Sequence, residues 1–169
     1  MRTRQRTANA LLDQLVSAAR NGPAYFGRGS DGQIVWMLDG FERGLMYRLI
    51  AEVGVLPTEV PTLTGADFWL DGPIPHVLLG SFAAPGRSGM MLPLDGAMKA
   101  ALAEFLQEHE DGVPLFMLGD ARRIGEVIAR DASIAGVVGA NANAVLLAAE
   151  FRTGVKSPLV SDDAVEVRP

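Results

Sequence analysis

The sequence predicts a single α/β domain spanning residues 1–169, with a mixed, partly parallel sheet flanked by helices and an amphipathic helix at the N-terminus. Three observations predict it. Apolar runs of strand length alternate with stretches of helical periodicity, the pattern of a sheet covered by helices. The 169 residues, 49% hydrophobic and 21% charged, suit one compact core. No fixed-period repeat, low-complexity segment or linker divides them.

The elements follow in order. Ala8, Leu11, Leu12, Leu15, Val16 and Ala19 recur at helical spacing, so a helix ended by "NGP" opens the domain, after a flexible basic stretch of residues 1–7. "QIVWML" reads as a strand, and "FERGLMYRLIAEVG" as a helix with Phe41, Leu45, Leu49 and Val53 on one face. The prolines of "VLPTEVPTLTG" remove backbone donors and make it loop or irregular edge. "DFWL", "HVLLGSF" and "GMMLPL" read as strands of a local antiparallel section, with "AAPGRSG" turning between the last two. Met98, Ala101, Leu102, Phe105 and Leu106 form the stripe of a surface helix in "GAMKAALAEFLQEHE". Beyond it, "VPLFML" predicts a strand, "ARRIGEVIARD" a helix, "IAGVV" a strand, "NANAVLLAAEFRTG" a helix ended by Gly154, and "SPLVS" a strand. Within the stretch 136–151, Val137 and Val138 are expected in a buried strand, Leu146, Leu147 and Phe151 in a covered helix, and Asn141 or Asn143 at its N-cap.

Charge and composition narrow the function classes. There is no cysteine, which excludes disulfides and thiolate metal sites. The net charge of −5 is unevenly spread, because Arg2, Arg4, Arg6, Arg20 and Arg28 face only Asp13 in the first thirty residues. The acidic remainder argues against a broad nucleic-acid face. Arg2, Arg4 and Arg6 could touch phosphate or an acidic partner, or could simply be a solvated helix start. "MRTRQRTANALLDQL" lacks the apolar core of a secretory signal, which predicts a cytoplasmic protein. Residues 132–149 carry no charge, but their central Asn and Gly residues suit a buried strand-turn-helix better than a membrane span.

Carboxylates recur after apolar runs. "LDG" occurs three times, and "LGD" and "SDD" place acids similarly, so Asp39, Asp95, Asp120 and Asp162 fall at strand ends. On parallel strands they would share the carboxyl edge of the sheet, where open α/β folds bind ligands and where a cluster could hold Mg²⁺ for phosphoryl or phosphodiester chemistry. The competing reading is structural. Asp39 with Glu42 three residues on is a capping box, and Asp-Gly is a common turn.

Other catalytic patterns are thin. His76 opens an apolar strand and His109 sits at a helix end among Glu108, Glu110 and Asp111, with no zinc spacing between them. Ser88 in "GRSGM" lacks the second glycine of a G-x-S-x-G nucleophile elbow. Tyr25, Phe26, Trp36 and Trp69 could line a pocket or belong to the core. Residues 139–144 read as G-x-G-x-x-A with Asn141 at the second glycine, where a side chain blocks approach to a pyrophosphate, so no dinucleotide cofactor is expected.

Two segments resemble known families. "NAVLLAAEFRTGVKSPLVSDD" resembles the end of a PIN-type nuclease domain and "MLDGFERG" its opening strand, with Asn143 where that family has an acid. "DGVPLFMLGDARRIGEVIARDASIAGVVGANANAVLLAAEFRTGVKSPLV" is similar in pattern to the N-terminal domain of SseB-like proteins, which implies a small α/β module without an established catalytic site. The sequence therefore points to a soluble protein-interaction or regulatory module that acts without catalysis or cofactor, on a protein partner and away from membranes. Its oligomeric state is open. The alternative is a Mg²⁺-dependent nuclease or phosphatase using Asp39, Asp95, Asp120 and Asp162.

Overall fold

A computed structural model describes residues 2–138 and 143–159, residues 2–8 by backbone alone. Helix α1 (Arg2–Asn21) buries Leu12, Leu15, Val16 and Ala19 on one side and leaves Asp13, Gln14, Ser17 and Arg20 in solvent, as the 3.6-residue spacing requires. It packs on α2 (Gly40–Arg48), and a glycine sets how closely. A Cβ on Gly40 would lie 2.2 Å from the Ala19 carbonyl oxygen, so any side chain there forces the helices apart. The α2 helix runs on through a π-helical turn, Leu49–Val53, which Gly54 closes in the left-handed conformation at φ 92°. It is buried on nearly every side rather than along the single face expected, with Arg43, Met46, Tyr47 and Ile50 as enclosed as Leu45 and Leu49.

In the chain between α1 and α2 lies a hairpin of β1 (Tyr25–Arg28) and β2 (Ile34–Leu38), antiparallel, with Tyr25 opposite Leu38, Phe26 opposite Met37 and Gly27 opposite Trp36. The second sheet, order β3 (Phe68–Trp69), β4 (His76–Leu78), β5 (Met91–Pro93), is antiparallel too, as the sequence of this section predicts. Helices α3 (Gly96–Leu106), α4 (Arg122–Ile134) and α5 (Ala144–Thr153) follow, the last ended by Gly154 at φ 70°. One apolar cluster runs from Leu12 of α1 to Ala149 of α5.

The mixed, partly parallel sheet is therefore corrected to two small antiparallel sheets flanked by helices. Two expected strands are missing for identifiable reasons. "VPLFML" divides its backbone between the 63–64 loop and the hairpin: the Leu115 N–H donates to the Leu63 carbonyl and the Met37 N–H to the Met117 carbonyl, with isolated single bridges at Thr64–Pro114 and Met37–Met117. "IAGVV" is the end of α4. The Gly136 N–H donates to the Ser133 carbonyl and the Val137 N–H to the Ala132 carbonyl around a left-handed Gly136, a Schellman motif whose buried Val137 is its apolar lock. Val138 is 77%, Leu147 40% and Phe151 78% exposed, where the sequence predicts cover. The described part of "SPLVS" is a turn, in which the Ser157 Oγ accepts the Leu159 N–H. Among the described residues no helix is long and apolar enough to cross a membrane.

Candidate functional site

The strand-end aspartates come to separate helix starts. Asp39 caps α2: its Oδ1 accepts the Glu42 N–H at 2.8 Å while Glu42 Oε2 accepts the Asp39 N–H at 2.7 Å. Burial beside Asp39 raises the Glu42 carboxyl above its ordinary range. Asp95 caps α3 by accepting the Met98 N–H at 2.7 Å. Asp120 accepts the Arg122 backbone N–H and its Nε–H, each at 2.9 Å, and this pairing lowers its carboxyl pKa. Asp162 lies outside the described residues, as do Gly139–Ala142 of the glycine-containing turn, and so do the side chains of Arg2, Arg4 and Arg6. Among the described residues no three His, Asp or Glu side chains stand together where they could hold a metal ion. Asn143 makes no side-chain cap bond to α5, which corrects that half of the expected cap. His109 lies 4.0 Å from the Phe105 ring centroid with its Nδ1 on the Phe105 carbonyl, and Ser88 is exposed in the β4–β5 loop.

The strongest electrostatics lie elsewhere, in a buried cluster that motif reading does not reach. Arg43 and Asp131 are both fully enclosed, and the Arg43 Nε–H donates to Asp131 Oδ2 at 2.8 Å. The remaining guanidinium donors go to Asp131 Oδ1 and to the carbonyls of Ala19, Pro23 and Leu38. The Tyr25 hydroxyl donates to Asp131 Oδ1 at 2.8 Å and the Tyr47 hydroxyl to Oδ2 at 2.6 Å. Each carboxylate oxygen thus holds two donors, and each of the five guanidinium N–H bonds an acceptor. Burial first, and Asp131 second, push the Tyr25 hydroxyl up to about 12 and raise that of Tyr47 as well. Nothing in the cluster is left to meet a substrate. It ties α1, β2, α2 and α4 together. Glu59 and Arg87 form a similar closed pair, in which Glu59 also takes the N–H groups of Leu56 and Ala84 and Arg87 reaches the Gly54 carbonyl. A cleft of about 240 Å³ beside Glu59, lined by Thr62, Thr64, Asp67, Ser81 and Phe82, has its acids already engaged, since Asp67 accepts the backbone N–H and hydroxyl of Thr64.

What stands unengaged is apolar surface. Strand alternation turns Tyr25, Trp36 and Leu38 inward and sends Phe26 and Met37 out. The single bridge from Met37 to Met117 adds a third member to the row, so Phe26, Met37 and Met117 stand side by side at 49%, 43% and 49% exposure, Met117 at the centre of a tight turn in which the Leu118 N–H donates to the Phe116 carbonyl. Ile34 and Val35 enlarge the same hairpin's exposed surface. On the second sheet Trp69 is exposed, its ring within 2° of parallel to that of His76. No family model, curated protein or solved structure matches this chain.

Proposed function

We propose that the chain is a protein-binding module acting without catalysis, and that its contact surface is the outer face of the β1–β2 hairpin continued by Met117. The observation that carries this is the row Phe26, Met37, Met117: three large apolar side chains, each about half exposed, the first two held in register by the β1–β2 pairing and the third by its bridge to Met37. Contiguous apolar surface on a rigid scaffold is what a partner's desolvated side chains need, and methionine adapts its shape to them. The pairing also fixes the row before any partner arrives, which lowers the ordering cost of binding. The closed cluster at Arg43 and Asp131 supports the same reading by making the face stiff, because it anchors both strands of the hairpin through Tyr25 and the Leu38 carbonyl.

The test compares capture of proteins from the source cell by the wild type, by the double variant Met37→Lys with Met117→Lys, and by Met91→Lys on the other sheet. All three positions are exposed, so each variant is expected to fold. A partner retained by the wild type and by Met91→Lys, and depleted at least about tenfold by the double variant, is the expected result. Equal capture by all three proteins would remove the hairpin face from the account.

A further inference from the structure

Resting on that reading of the hairpin, we propose that the free edge of β1 accepts an extended, acidic segment of a partner protein as an added strand. The hydrogen-bond register identifies the edge. The Met37 N–H donates to the Met117 carbonyl at 3.0 Å, away from β1. In an antiparallel ladder the N–H and C=O of one residue point to the same side, so Met37 and its opposite, Phe26, form a pair without mutual hydrogen bonds. The Phe26 N–H and C=O accordingly face the far side of β1, where no group among the described residues takes them up. An unpaired strand edge is a template for one more strand. A strand added there would place its own outward residue beside Phe26, extending the row of Phe26, Met37 and Met117 by one member.

The charge around the edge names the partner. Arg28 lies over the Phe26 ring at 5.4 Å on the outer face, and Arg130 over the Tyr25 ring at 5.4 Å on the inner face. A third cation, Arg123, stands over Trp36 at 5.0 Å. Among the described residues none of these three has a carboxylate within ion-pair distance, in a chain whose net charge is −5. Arginines on both faces of one edge favour carboxylates on the incoming strand. They also disfavour a second copy of this chain, whose own Arg28 and Arg130 would meet them.

The probes are a fluorescein-labelled peptide of alternating Glu and Val, the same peptide N-methylated at alternate residues so that its pairing edge is blocked, and its Lys–Val counterpart. Binding is read by fluorescence anisotropy. Phe26→Pro removes the outward N–H at an edge position where no bond to β2 is lost, and Arg28→Glu with Arg130→Glu inverts the flanking charge. The Glu–Val peptide is expected to bind the wild type saturably. Either variant, or N-methylation, weakens it at least about tenfold, and the Lys–Val peptide does not bind. Should Phe26→Pro fail to fold, the N-methylated peptide on the wild type decides the same point. Equal binding of the N-methylated peptide, or no binding of any peptide, would overturn the proposal. So would a wild-type dimer in sedimentation that Phe26→Pro abolishes, since the occupant would then be a second copy. If Met37→Lys with Met117→Lys loses a captured partner that the arginine variant retains, and N-methylation leaves peptide binding to the wild type unchanged, the contact face stands and the edge proposal alone falls.

Discussion

A buried carboxylate without its donors costs several kcal/mol, so Asp131, Arg43, Tyr25 and Tyr47 hold or fail as a unit. Their titration gives a test at this scale. The Tyr25 hydroxyl titrates near 10 in the unfolded chain and about 12 in the fold, so the folded state keeps a proton that the unfolded state releases between those values. The stability it contributes is full below about pH 10 and is lost as pH rises through about 12. Tyr47 is shifted in the same direction. Urea midpoints measured from neutral to alkaline pH are expected to fall steeply for the wild type and less steeply for Tyr25→Phe, which has no such proton. The variant is also about 1–3 kcal/mol less stable at neutral pH, where Asp131 loses a donor. Identical slopes would mean that Tyr25 is not linked to folding. The cluster left a trace in the sequence: Ile124, Val127, Ile128 and Asp131 share one helical stripe, which sets a carboxylate on the buried side of α4. Strand-end position singles out Asp39, Asp95, Asp120 and Asp162 and gives no weight to Asp131, the acid that lies on this apolar stripe.

At the scale of elements, helices were legible, and strand partners only in the local β3–β4–β5 section. The periodicity of α1 and α3 is carried by residues within a few positions of one another, so it survives any tertiary arrangement. A strand's role depends on what lies beside it, and "VPLFML" carries no sign that its bonds are divided between Leu63 and Met37. "IAGVV" misled because its Gly136 is a helix-ending residue inside an apolar run. Close packing of α1 on α2 gives the prediction at this scale. Gly40→Ala, whose methyl would meet the Ala19 carbonyl, is expected to cost about 1–3 kcal/mol in urea denaturation. Asn143→Ala, which removes no cap bond, should stay within about 0.5 kcal/mol of the wild type. A tolerated Gly40→Ala would show that the two helices separate without penalty.

For the whole molecule, the α/β class and the local antiparallel section were visible in the sequence, but the mixed sheet was not there to find. Alternating helix and strand signals are consistent with both parallel and antiparallel pairing, and strands of two to five residues, such as Phe68–Trp69 and Ile34–Leu38, carry too little pattern to separate them. The candidate surface was legible only as residue types. Phe26 and Trp36 both read as pocket or core aromatics until pairing sent one outward and the other in. The two small sheets leave Phe26 and Met37 on one and Trp69 and Met91 on the other exposed, and the hairpin face is the one that the Met37–Met117 bridge widens. Its role is tested most directly by placing a photo-crosslinking benzoylphenylalanine at position 37 or at position 91 and irradiating the living source cell. The account predicts a discrete crosslinked adduct with one partner from position 37 and none from position 91. An adduct from position 91 with none from position 37 would contradict it.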